Sequence, residues 1–204
     1  MTTIQPTLLA MSSIGSAQVR QAVAAGAAAL RVQLDGPWGR LVPEMDWTVA
    51  HTVAHVAGGL LWYATDLWSG PEELTTMSLS VREDADPADL IRTVESFGAV
   101  MAAAVEAAGP DRLGWHPAGR PDRTGFAAMA CDEVLIHTSD ALRGLDAGFE
   151  PDHGLCQAVV ARLFPDAPEG FGGWETLLWA NGRVALPGHP RQTRWRWHCA
   201  PLEG

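Results

Sequence analysis

A chain of 204 residues is long enough for one sizeable core, and 47% apolar against 19% charged residues describe a globular protein, not a disordered one. The net charge is -10 and every cation is Arg, since the sequence contains no Lys; nucleic acid is thereby a poor partner, and Schiff-base or P-loop lysine chemistry is excluded. Cys131, Cys156 and Cys199 are odd in number, far apart and without Cys-x-x-Cys spacing, so they read as small buried hydrophobes in a reducing compartment.

Residues 1–14 carry no clear period and read as a loosely packed lead-in, lacking the charged flank and apolar run of a secretion signal. No apolar run approaches membrane-spanning length, so the expected location is the cytoplasm, with no membrane partner. A first helix is predicted over residues 16–33, rich in Ala, Val and Leu and stopped by Asp35-Gly36-Pro37. A second is predicted over 48–67, with Asp46 or Thr48 as its cap. On it Thr48, His51, His55, Gly59, Trp62 and Asp66 share one face.

Inside that helix Gly58-Gly59 costs roughly 1 kcal/mol per glycine, so the pair needs a reason. Room for a ligand or thiol one turn past His55 is one reason; a close helix crossing is another. Residues 69–85 read as a long connection, and Asp86-Pro87-Ala88-Asp89 starts a third helix that runs to about Ala108. A loop dense in Gly, Pro, Asp and Arg covers 109–123, and Thr124 is the expected cap of a fourth helix ending at Arg143 or Leu145. Four such helices read as a bundle over residues 1–148. Residues 149–204 are expected to form a small subdomain packed on it, with short helices over 152–164 and 173–182 and a half-buried strand over 193–199.

The chemistry concentrates on Glu133-Val134-Leu135-Ile136-His137. An acid and an imidazole four residues apart are neighbours on a helix, where the bland reading is a solvated pair contributing roughly 0.2 to 0.5 kcal/mol. The periodicity instead assigns the polar stripe to Asp132, Ser139 and Arg143, and puts Glu133 and His137 on a face with Phe126, Met129, Ile136 and Asp140. Polar groups among apolar ones are costly unless they bind something or satisfy each other. His55, flanked by Val53, Ala54, Val56 and Ala57, supplies a third ligand from a second helix, and three ligands make an open metal site. His51 could be a fourth ligand, a pocket wall or a general base, and Asp140 could fix the imidazole tautomer from outside the ligand set; a helix-surface or capping role fits each of them equally well. His116, His153, His189 and His198 read as surface histidines, and Trp62 as a pocket wall. Arg194 and Arg196 alternate with Trp195 and Trp197, as on a solvated edge strand with gatekeeping charge.

Asp46-Trp47-Thr48-Val49, Val53-Ala54-His55-Val56-Ala57-Gly58-Gly59 and Glu133-x-x-x-His137-x-x-Asp140 together resemble the DinB-like superfamily, in its branch of actinobacterial mycothiol-dependent maleylpyruvate isomerase-type proteins. Leu177-Leu178-Trp179-Ala180-Asn181-Gly182-Arg183 and Trp195-Arg196-Trp197 are similar to tails of those proteins. The resemblance implies a mainly α fold, a DinB/YfiT-like four-helix bundle with a small C-terminal α/β appendage. It also implies a divalent metal, zinc foremost, on His55, Glu133 and His137, and a thiol such as mycothiol as cosubstrate.

The C-terminal part is shorter than the second domain of the isomerase itself, so transfer of sulfur to an electrophilic small molecule is the expected reaction class, ahead of thiol-assisted isomerisation. Metal-dependent hydrolysis or rearrangement without thiol is a second function class, and a non-enzymatic metal-binding or small-molecule-binding stress protein a third. Exposed Trp could support a homodimer.

Overall fold

The computed structural model describes residues 14–202 and is built of six helices: α1 (Ser16–Arg31), α2 (Val49–Ser69), α3 (Pro87–Ala107), α4 (Arg123–Gly144), α5 (His153–Leu163) and α6 (Gly173–Ala180). Of the lead-in expected over 1–14, only Ile14 lies among the described residues, and it is buried. Local chemistry sets the starts. Thr48 caps α2 by accepting from the His51 N–H at 3.0 Å, and Pro87 opens α3 after Asp86. The cap of α4 is Asp122, two residues ahead of the expected Thr124; its Oδ1 accepts from the Gly125 N–H at 2.7 Å and from the Thr124 hydroxyl at 2.8 Å. The same oxygen also accepts from Arg162 Nη2 at 3.1 Å, and a carboxylate meets that guanidinium with a charge that a threonine lacks.

The first four helices form a bundle in which α1 and α2 each pack against both α3 and α4. Consecutive helices α1 and α2 therefore lie across the bundle from one another, and the connections after α1 and α3 cross its ends. Close packing is visible where α3 meets α1: a Cβ on Gly98 would come within 2.6 Å of Val23, so only glycine allows the approach.

Helix α4 is covered on nearly every side, by α1 and α2 within the bundle and by α5 and the C-terminal segment outside it. This corrects the solvent stripe read from periodicity. Ser139 and Arg143 are half-buried, but Asp132 is 1% exposed, accepting from Asn181 Nδ2 at 2.7 Å and from Trp197 Nε1 at 2.9 Å. A polar residue on a helix reports a partner as readily as it reports water.

The core continues from the bundle into α5 through Leu155, Cys156, Val159 and Leu163, while Trp179, Ala180 and Leu186 form a smaller cluster around α6. Arg162 of α5, 5% exposed, ties the ends together, bonding Asp122, Thr124 and the carbonyl of His198. The expected strand over 193–199 does not form: among the described residues there are isolated bridges and no sheet. Its alternation reports orientation only at the end of the run, where Trp197 reaches Asp132 and Cys199 is buried while Arg196 and His198 stay exposed; Trp195 is exposed beside Arg194. No described helix is long and apolar enough to cross a membrane.

Candidate metal centre

Thr48 fixes the start of α2, and two turns later that helix presents His55 toward α4, where Glu133 and His137 stand one turn apart. One ligand atom from each of the three lies within 4.8 Å of the others. Glu133 Oε1 is 2.8 Å from His55 Nε2 and 3.5 Å from His137 Nε2. The three residues named from the sequence are thus brought together. Their exposure is uneven: the Glu133 side chain is 7% exposed and His137 15%, but His55 is 41% exposed, at the mouth of the site and not on the bundle axis.

Glu133 uses one oxygen within the protein and leaves the other over. Its Oε2 accepts from the Tyr63 hydroxyl at 3.2 Å, whereas its buried Oε1 has no hydrogen bond of acceptable direction, although two imidazole nitrogens converge on it. Burial works against the charge, but His137, His55 and Tyr63 outweigh it and hold the Glu133 carboxyl below its ordinary pKa.

His137 is fixed from behind. Its Nδ1 lies 3.1 Å from Asp140 Oδ2, which also accepts from Arg183 Nη2 at 2.6 Å, and Asp140 is fully buried. With Nδ1 donating to that carboxylate, the Nε2 lone pair faces Glu133 Oε1, the tautomer a metal-binding imidazole needs. A buried oxygen without a partner, an anionic carboxylate and two imidazole nitrogens suit a divalent cation of intermediate softness. The donor set fits such an ion.

Trp47 covers the three imidazoles, its ring 4.6 Å from that of His55, 4.8 Å from His51 and 5.8 Å from His137. His51 stands outside the three-residue group, half-exposed, with its Nδ1 against the Glu83 carboxylate. Beyond His55 opens a cleft of about 920 Å³, and Gly58, Gly59 and Trp62 are part of its wall. A Cβ on Gly58 would meet nothing within 4 Å and one on Gly59 would only touch the Glu133 side chain of α4 at 3.6 Å, so the pair borders an open space and no tight helix approach requires either glycine.

Several contributors have weak signals in the sequence. Tyr63 is the single tyrosine of the chain, two turns past His55 and beside the Trp62 face. Arg183 lies in a tail segment whose partner no local pattern specifies. His116, read as a surface residue, is half-buried in the cleft wall with its ring 5.9 Å from Tyr63 and 5.6 Å from Trp197. The three cysteines are buried and unbridged, as expected, and burial pushes the Cys156 thiol up to about 12, far from a reactive thiolate.

A family model described as the mycothiol maleylpyruvate isomerase N-terminal domain matches residues 19–142, which hold all three convergent ligands. No curated protein and no solved structure matches the chain.

Proposed function

Since the chain belongs to the mycothiol maleylpyruvate isomerase N-terminal domain family, we propose that it is a metal-dependent enzyme that joins a low-molecular-weight thiol, mycothiol foremost, to an electrophilic small molecule. His55, Glu133 and His137 would hold the ion, with zinc the best match to two imidazoles and a carboxylate. The observation that carries this reading is the unpartnered Glu133 Oε1, facing two imidazole nitrogens at the end of an open cleft.

A divalent cation bound there supplies positive charge that stabilises a thiolate over a thiol at neutral pH. The chain's own residues do the rest. Asp140 and Arg183 hold the His137 ring in one tautomer, and Tyr63 holds Glu133. His51, whose Nδ1 is engaged by Glu83, takes the thiol proton at Nε2 and returns it to solvent at the rim. Trp47 and the helix α2 wall limit water on the opposite side of the ligands. The sulfur lone pair then forms the carbon–sulfur bond as the bond to the leaving group breaks and that group departs with its electron pair.

Transfer is favoured over isomerising the dicarboxylate in the family's name. The cleft is lined by Asp66, Glu73, Glu83, Asp84 and Glu133 against the single guanidinium of Arg82, and that surface repels a dianion. The test is turnover of 1-chloro-2,4-dinitrobenzene by the zinc-loaded protein with mycothiol. A thiol conjugate formed only with metal and mycothiol both present is the expected result. Conjugation unchanged by Glu133→Gln, or substrate turnover without thiol, would overturn it, the second outcome in favour of hydrolysis by the same site.

A further inference from the structure

The end of the cleft far from the three ligands is built for a different group. His55, Gly59, Tyr63 and Asp66 follow one another along α2 at spacings of four, four and three, and all four line the cleft. Eleven residues at about 1.5 Å each put Asp66 about 16 Å along the helix from His55.

Asp66 is 2% exposed, yet its Oδ1 has no hydrogen-bond partner among the described residues. Only its main chain is engaged, the carbonyl accepting from the Trp115 N–H at 3.3 Å and from the Ser69 hydroxyl at 2.9 Å. Folded chains rarely leave a buried carboxyl in that condition. The titratable group that acts on it is another acid: burial and Glu73 together push the Asp66 carboxyl up to about 6. Arg82, the one cation on the cleft wall, is held by Asp84 through two contacts of 3.0 Å and is not spent on Asp66. Trp62 and Trp115 line the same stretch, and indole faces attract cations.

We infer that the Asp66 end of the cleft is a subsite for a protonated amine, carried by the molecule that reacts at the other end. The Asp66 carboxylate accepts from the ammonium, Glu73 adds negative potential at the rim, and the tryptophans cover its hydrocarbon flank. The assignment of a reacting molecule rests on the function proposed above; the amine subsite itself rests on Asp66 and its surroundings and needs no metal.

The test uses 3-phenylpropylamine, 3-phenylpropanol and 3-phenylpropanoate as probes of one shape and different charge, titrated calorimetrically into the full-length metal-loaded protein. The amine is expected to bind at least about tenfold more tightly than the alcohol, since the charged donor makes the stronger hydrogen bond. Asp66→Asn should weaken the amine about tenfold and the exposed Glu73→Gln about threefold, with metal content unchanged in both. Glu133→Gln, stripped of metal, should keep the amine affinity. Equal affinity for amine and alcohol, or an amine affinity unchanged by both acid variants, would overturn the subsite; so would its loss in Glu133→Gln, which would put the amine on the metal. Should Asp66→Asn fail to fold by thermal melting, Glu73→Gln alone decides. Amine binding that survives in a protein that takes up no metal would refute the metal centre and leave the subsite standing.

Discussion

Helix α4 carries two neighbouring buried acids, Asp132 and Glu133, that the fold treats in opposite ways. Asp132 points away from the cleft and has both oxygens occupied, by Asn181 and Trp197. Glu133 points into it with one oxygen held by Tyr63 and the other unpartnered. Burial pushes Asp132 up to about 7 and its two donors only partly offset that; Glu133, equally buried, is held below its ordinary value by the imidazoles opposite. Burial of an acid therefore does not mark a site by itself. What marks it is the valence the protein leaves unfilled.

If that contrast is right, the two acids should separate stability from metal binding. The largest effect is expected at Glu133: Glu133→Gln should lower zinc affinity by about a thousandfold, equivalent to about 4 kcal/mol, with little change in melting temperature, as read by competition with a chelator. Asp132→Ala should do the reverse. It strands the half-buried Trp197 indole N–H and one hydrogen of the buried Asn181 amide, whose other hydrogen stays on the Leu177 carbonyl, and should cost about 2–3 kcal/mol in urea unfolding while metal stoichiometry is kept.

Arg183 sharpens the comparison, because it links the C-terminal segment to the cleft side of α4 through Asp140 and His137. Arg183→Ala should weaken zinc binding by about 10- to 100-fold, as loss of an outer partner does, and Arg183→Lys should recover only part. A smaller effect is expected from Asp66. Its folded pKa, about 6, lies above the ordinary value of an aspartate, 3.8, so the folded state binds the proton more tightly and wild-type stability falls as pH rises from about 4 to about 6. Burial raises it most, and Glu73 on the cleft wall raises it further. Asp66→Asn removes the titration, so its stability relative to wild type should rise by about 1–2 kcal/mol between pH 4 and pH 8 in parallel urea titrations, a figure reduced for hydration of the cleft.

The fold was legible where local chemistry decides it. Asp86-Pro87 and Thr48 start helices, Gly109-Pro110 and Asp35-Gly36-Pro37 end them, and the apolar period fills the stretches between. The convergence of His55, Glu133 and His137 could be read because two ligands sit one turn apart and the third lies in an apolar helix interior. What could not be read depends on contacts between segments far apart in the chain. Periodicity made Asp132 a solvent residue because nothing local announces that residues 181 and 197 will cover it. The same blindness hid Arg183 behind Asp140 and put His116 on the surface. The run 193–199 has the alternation of a strand but lies beside helices, which offer no edge to pair with.

The most direct measurement is metal content by elemental analysis of protein purified without a histidine tag, alongside His55→Ala, Glu133→Gln and Asp132→Ala. About one divalent ion per chain in the wild type and in Asp132→Ala, lost in the other two while their helical circular dichroism is kept, is the predicted result. A folded wild type that takes up no ion even from excess zinc, or an ion retained in both His55→Ala and Glu133→Gln, would contradict it and leave the three residues a polar cluster of the core.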